Sequence, residues 1–418
     1  MSSISKIHAR EVLDSRGKPT VEVEVTCTDG AFGRAIVPSG ASTGQAEALE
    51  LRDADSSWYE GQGVQQAVAN VNNTLAPALL GLQTAEQHLI DARLLQLDPS
   101  PQKSHLGGNA LLGVSLATAH AAAASQRIPL YRHINNLLPA CKPAMPLPMT
   151  NMISGGLHAG GNLDFQDVLI TPVGAADYRT GLEWIVRVYR RLGEALTNAK
   201  YEGRLVGDEG GYGPRLESNQ QAVEFVVRAI EAAKLRPGED VTIALDVAAT
   251  HFLQSDGTYR LVTEKDTTLT SAAMIDRLDA WVEEFPITSI EDGLAEEDWD
   301  GWQELTRRLG SRIQLVGDDL FTTNERRIAK GIELGVGNSV LIKVNQIGTL
   351  TEALRAIEIA RGAGYSLVVS ARSGETEDTT IADLAVGVAA EQIKIGSIVR
   401  SERLAKYNQL LRIAEDLR

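Results

Sequence analysis

The pattern of apolar and polar positions divides the chain near residue 140. In TVEVEVT (20–26) apolar and polar positions alternate, and GAFGRAIV (30–37) follows in the same manner. A period of two predicts paired strands, so this segment reads as an antiparallel hairpin turning at Asp29-Gly30. Helical patterns follow over about 62–80, 84–95 and 108–126, the last rich in alanine and suited to close packing. LLPACKPAMPLP (137–148) then carries prolines at 139, 143, 146 and 148, the mark of a linker.

After the linker, short apolar runs alternate with long amphipathic stretches. The runs are VTIALD (241–246), ITSIED (287–292), IQLVGDD (313–319), SVLIKVN (339–345), SLVVSAR (366–372) and EQIKIG (391–396). Runs this apolar belong to strands covered on both faces, and their alternation with helices predicts a parallel sheet, closed as a β/α barrel. The expected architecture is an N-terminal α+β domain over 1–140, with a capping loop at 38–44, and a TIM-like barrel over 141–418. No Gly-x-Gly-x-x-Gly follows any run, which removes the usual dinucleotide fold.

Nearly every run ends in a reactive side chain: Asp246, Glu291, Asp318, Lys343, Arg372 or Lys394. Parallel barrel strands point one way, so these residues converge on one rim. An acid after a strand is by itself more often a cap or turn residue, but a rim-wide series is not explained by capping. Asp246, Glu291 and Asp318 are hard oxygen ligands with no histidine or cysteine among them, a set suited to Mg²⁺. Lys343, Arg372 and Lys394 face them and suit an anionic substrate, with a lysine near other cations losing its proton readily enough to act as a base.

Two glycine-rich loops add candidates. VGDEGGYGP (206–214) presents Glu209 on a tight turn, and SGGLHAGGNLDFQD (154–167) carries His158. PSGASTG (38–44) is placed to reach the barrel mouth. From these residues the expected chemistry is removal of a proton next to a carboxylate, with an acid on the opposite face assisting a leaving group.

Composition narrows the partners. With 40 basic and 55 acidic side chains the formal charge is −15, which repels nucleic acid and anionic membranes. Cys27 and Cys141 are too far apart in sequence for a thiolate metal motif. The opening MSSISKIHAREVLDSRG has no apolar core of a signal peptide, and LLGVSLATAHAAAA is short for a membrane span, so the expected location is the cytoplasm.

The chain resembles the enolase family, the phosphopyruvate hydratases of glycolysis. The resemblance rests on HAREVLDSRGKPTVEVEV, VPSGASTG with EALELRD, VGDEGGYGP, SIEDGL, QLVGDDLF, LIKVNQIGTL, SARSGETEDTTIADLAVG and SERLAKYNQLLRI. It implies a barrel of slightly irregular strand order, two Mg²⁺ ions with the second assembled on substrate, and a homodimer or homo-octamer. It also implies that Asp246, Glu291 and Asp318 hold the first ion and Ser42 the second. By the same resemblance Lys343 is the base at carbon 2, Lys394 the lysine on the carboxylate side, Arg372 and Ser373 the phosphate grip, and Glu209 the acid at the leaving hydroxyl. His158, Gln166 and Ala41 match active-site loop positions.

Two positions depart from the family's pattern. Ala371 stands where the family has histidine, and Asp167 where it has glutamate. Both belong to the subsite around the leaving hydroxyl. The expected activity is the interconversion of 2-phosphoglycerate and phosphoenolpyruvate. A relative of phosphonate natural-product pathways, similar to carboxyphosphonoenolpyruvate synthase, is the alternative those departures leave open. A non-catalytic scaffold is a third, disfavoured by the retained acids and lysines.

Overall fold

The computed structural model describes residues 2–40, 44, 46–139 and 141–418. The first layer is a three-stranded antiparallel sheet, β1 (Ile4–Leu13), β2 (Pro19–Cys27) and β3 (Phe32–Ile36). The hairpin expected at Asp29-Gly30 joins β2 to β3, with Thr26 opposite Phe32. β1 adds an edge strand that its largely polar sequence, ISKIHAREVL, did not announce. The helix Gly108–Gln126 packs on this sheet so closely that a Cβ on Gly33 would fall 2.2 Å from the Ala121 nitrogen. Alanine on the helix and glycine on the strand are thus the same fact seen from two sides.

The remainder closes as an eight-stranded barrel. β4 (Leu147–Ser154) and β5 (Asp167–Thr171) precede β6 (Thr242–Asp246); a small hairpin, β7 (Tyr259–Leu261) and β8 (Thr267–Leu269), lies outside the barrel. β9 (Ile287–Glu291), β10 (Gln314–Gly317), β11 (Ser339–Ile342), β12 (Ser366–Ser370) and β13 (Gln392–Gly396) complete it, β13 pairing with β4.

The barrel is not wholly parallel, which corrects the simple reading of its strands. β5 runs antiparallel to both β4 and β6. The reason is the short connection between β4 and β5: a hairpin reverses direction, whereas a parallel return needs a longer crossover. As a result the first residue of β5, Asp167, lies beside Asp246, the last residue of β6. The reversed strand therefore delivers Gln166 and Asp167 to the same rim as the other strand ends.

Inside the barrel, Met149, Leu169, Ala244, Val316, Leu341 and Val368 form a buried apolar layer. Below it, at the strand starts, Gln314 Nε2 donates to Ser339 Oγ (3.0 Å), Ser366 Oγ (3.0 Å) and Gln392 Oε1 (2.7 Å), while its Oε1 accepts from Ser289 Oγ at 2.8 Å. That end is closed by neutral hydrogen bonds. Among the described residues no helix is long and apolar enough to cross a membrane.

The N-terminal domain reaches the opposite end. Ser39 and Gly374 exchange backbone hydrogen bonds of 2.8 and 2.9 Å, and Ser15 N–H donates to the Glu375 carbonyl at 2.7 Å. Gly374 has to be glycine here, because a Cβ would meet Asp14 Oδ2 at 2.3 Å.

Candidate active site

The rim residues converge, each through a stated position. Asp246 and Glu291 end β6 and β9; Asp318 and Lys343 follow β10 and β11 directly; Arg372 lies just beyond β12. Lys394 departs from the expectation of a strand-end residue: it sits within β13, at the start of a register shift between Lys394 and Gly396. All are buried except Lys343, whose side chain is 13% exposed.

On the acid side, Lys394 Nζ donates to Asp246 Oδ2 at 2.6 Å and to Glu291 Oε2 at 2.8 Å. Lys343 pairs with Asp318, whose other oxygen accepts from Gln346 Nε2 at 2.8 Å. Gln166 Nε2 donates to Asp246 Oδ2 at 3.0 Å. Glu291 Oε1 is buried with no hydrogen-bond partner among the described residues, and burial, then Asp246, pushes that carboxyl up to about 8. A buried carboxylate with a partnerless oxygen beside two further hard oxygen donors fits a small divalent cation.

Asp318 also belongs to a second acidic group. Ligand atoms of Asp292, Asp318 and Asp319 lie within 4.8 Å of one another. Asp292 serves there as a brace, accepting the Asp318 and Asp319 backbone N–H groups at 3.0 and 2.8 Å. It does so from φ +43°, a conformation uncommon for aspartate and one that turns the strand end back on itself. Burial, then Asp318, pushes Asp319 up to about 7.

Burial alone would favour the neutral form of both lysines, but Asp318 raises the Lys343 ammonium above its ordinary value, and Asp246 and Glu291 raise Lys394 well above its own.

The side around His158, Asp167 and Glu209 is a separate network. His158 Nδ1 lies 3.2 Å from Asp167 Oδ2, and His158 Nε2 lies 3.8 Å from Glu209 Oε1. Asn151 Nδ2 donates to the other Asp167 oxygen and to Ser154 Oγ at 3.0 Å. Burial opposes the charge on His158, yet Asp167 and Glu209 raise the imidazole to about 9. Glu209 resists burial through His158, Arg403 and the two lysines and falls to about 2, while burial pushes Asp167 up to about 6. In this resting network the His158 imidazole is held above its ordinary value and the Glu209 carboxyl below its own, so the two form one acid–base contact.

Arg372 and Ser373 occupy the third side. Arg372 Nη1 lies 3.1 Å from Glu47 Oε2 and 2.8 Å from Asn345 Oδ1, and Nη2 lies 3.3 Å from Glu47 Oε1. Arg16 Nη1 donates to Ser373 Oγ at 3.3 Å. The backbone beneath them is held by Arg403, buried and donating to the carbonyls of Arg372 (2.7 Å), Ser373 (2.6 Å) and Ile395 (3.0 Å). Ala371 is 5% exposed and lines a narrow pocket of about 20 Å³ with His158, Gln166, Glu209, Lys343 and Lys394. Two larger grooves, of about 690 and 670 Å³, lie elsewhere, one beside Asp29 and His133 and one along Arg179–Glu194.

Ser42 and Ala41 lie outside the described residues. Their flanks do reach the mouth: Ser39 bridges to Gly374, and Gly44 approaches Asp319 and Glu296. Several partners were not singled out from sequence, namely Glu47, Asn151, Asp292, Gln346 and Arg403. Glu47, Gln346 and Arg403 lie inside quoted motifs, but nothing local marks their long-range contacts.

The geometry is a rim of three carboxylates, two lysines and an arginine beside an acid–base network, under an N-terminal cap. Two family models match the chain: "Enolase, N-terminal domain" over residues 4–134 and "Enolase, C-terminal TIM barrel domain" over residues 142–418. Between them they account for both layers of the fold and for the rim, and the chain belongs to the enolase family.

Proposed function

We propose that this enolase-family lyase interconverts 2-phosphoglycerate and phosphoenolpyruvate, a reaction on a small anionic phosphorylated carboxylate. The observation that carries the reading is the meeting of Asp246, Glu291 and Asp318 with Lys343, Lys394 and Arg372 at one buried rim. Asp246, Glu291 and Asp318 would hold one magnesium ion, and Ser42 would contribute to a second site formed with substrate. Bound magnesium would neutralise the negative charge that builds on the substrate carboxylate as carbon 2 loses its proton.

The chain's own groups do the rest. Lys343 exchanges the proton at carbon 2. Its resting ammonium form is the one that donates in the hydration direction, and in the dehydration direction it must first give that proton up. Lys394 sits on the carboxylate side, and Arg372 with Ser373 takes the phosphoryl group through a planar fork of donors. Glu209 and His158 face each other across the subsite and supply the proton for the departing hydroxyl, Glu209 as the acid, and Asp167 sets the imidazole's direction. Gln166 holds Asp246 in place, and Ala41, which lies outside the described residues, would contribute to substrate binding.

A second reading rests on the leaving-group subsite. Ala371 gives the narrow pocket a methyl group where the family has an imidazole, and Asp167 is one methylene shorter than the family's glutamate. Displacement of a reacting group by about 1 Å costs roughly a hundredfold in rate. A related substrate with a different leaving group, as in phosphonate natural-product pathways, suits that change.

The deciding experiment is a spectrophotometric assay of phosphoenolpyruvate formation from 2-phosphoglycerate with Mg²⁺, on the parent and on Ala371→His/Asp167→Glu. A fast parent supports the first reading. A slow parent restored by the double substitution moves the assignment to the second.

A further inference from the structure

Arg372 carries a ligand of its own. The Glu47 carboxylate, 6% exposed, meets both terminal nitrogens of the guanidinium, at 3.1 and 3.3 Å. The carboxylate is also held by the Gly44 N–H at 3.1 Å and by Gln346 Nε2 at 3.4 Å, the latter also donating to Asp318 at 2.8 Å. The carboxylate thus meets the same planar fork that a phosphoryl group would use.

We propose that Glu47 is a built-in competitor for the substrate's anionic group at Arg372, setting the preference of that subsite for phosphoryl over carboxylate ligands. The proposal rests on the reading of Arg372 as the phosphoryl grip and goes beyond it by assigning the residue that tunes the grip. A buried guanidinium without a counter-charge is costly, so Glu47 stabilises Arg372 before substrate arrives. An incoming anion must then displace Glu47 or lie beside a like charge. A carboxylate offers Arg372 no more than Glu47 already supplies, and gains little. A phosphoryl group, with charge approaching −2 and three acceptor oxygens, has a surplus and binds.

Isothermal titration with inorganic phosphate, and separately with acetate, in magnesium-containing buffer tests this without relying on turnover. In Glu47→Gln the amide keeps the shape and loses the charge. Phosphate is expected to bind about tenfold tighter, equivalent to about 1.4 kcal/mol, and the preference for phosphate over acetate is expected to narrow. Glu47→Asp, which keeps the charge and shortens the reach, should fall between parent and Glu47→Gln and covers the case in which the amide variant folds poorly. Arg372→Gln should abolish phosphate binding in every background. If Glu47→Gln and Glu47→Asp bind phosphate no more tightly than the parent while Arg372→Gln still abolishes it, Glu47 merely holds the arginine and the proposal fails. If phosphate binding is insensitive to Arg372→Gln, the phosphoryl-grip reading fails first and takes the proposal with it.

Discussion

The two ends of the barrel are both polar, one half-buried and the other buried, and they satisfy their polar groups differently. At the strand starts, Gln314, Ser339, Ser366 and Gln392 satisfy one another with neutral hydrogen bonds. At the strand ends, carboxylates and ammonium ions are packed together, and Asn151 Oδ1, Gln166 Oε1 and Glu291 Oε1 are left without partners among the described residues; the opposite end so leaves Thr242 Oγ1. A neutral network is complete in itself. A charged one with spare acceptors is incomplete until something else binds, which is how a stabilising end and a reactive end differ on one scaffold.

The contrast is broken most severely by removing the proton carrier. Lys343→Ala is expected to lower kcat roughly a thousandfold, within the range of general acid–base catalysis, with little effect on substrate affinity; steady-state kinetics in both directions would check it. Lys394→Met comes next. It strands Asp246 and Glu291 as buried acids, and the expected loss is about 3–5 kcal/mol of stability in chelator, measured by denaturant melts. Added Mg²⁺ should recover much of that loss, since the cation takes over the ammonium's electrostatic role. No recovery would count against a metal at these carboxylates.

At the neutral end, Gln314→Ala removes a hub and should destabilise by about 1–3 kcal/mol while kcat/KM stays unchanged. A fall in kcat/KM there would show that the two ends are coupled. The smallest effect is the pH response of His158. Its folded value, about 9, lies above the ordinary 6.5. The stabilisation is therefore fully present below about pH 6.5 and is lost as pH rises through about 9. His158→Gln should flatten stability across that window; an unchanged slope would place the titration elsewhere.

The barrel was legible in the sequence because six apolar runs end in chemistry, a pattern that survives without knowledge of neighbours. β4 and β5 were not legible. Pro148 interrupts the first, and the glycine-rich stretch between them hides that 147–154 and 167–171 are paired. Identities of the rim residues were readable for the same local reason, whereas their charge states were not. Lys343 reads from the sequence as a lysine among cations, whereas in the structure it pairs with Asp318, which raises its ammonium, and that pairing exists only in three dimensions. Glu47 shows the limit from the other side: it stands in a motif, but its partner is 325 positions away.

The bridge between Ser39 and Gly374 carries a consequence for how the chain matures. Arg16 and Ser373, joined across it, are 357 positions apart, so the Arg372–Ser373 side of the site is completed by one of the longest loop closures available to the chain. Contacts of such separation form slowly, after local ones have paid the entropy of collapse. During refolding, far-ultraviolet signal from the barrel should therefore return before activity does. A nascent chain, with its first domain already folded, waits for residue 374 to emerge before its site can exist at all.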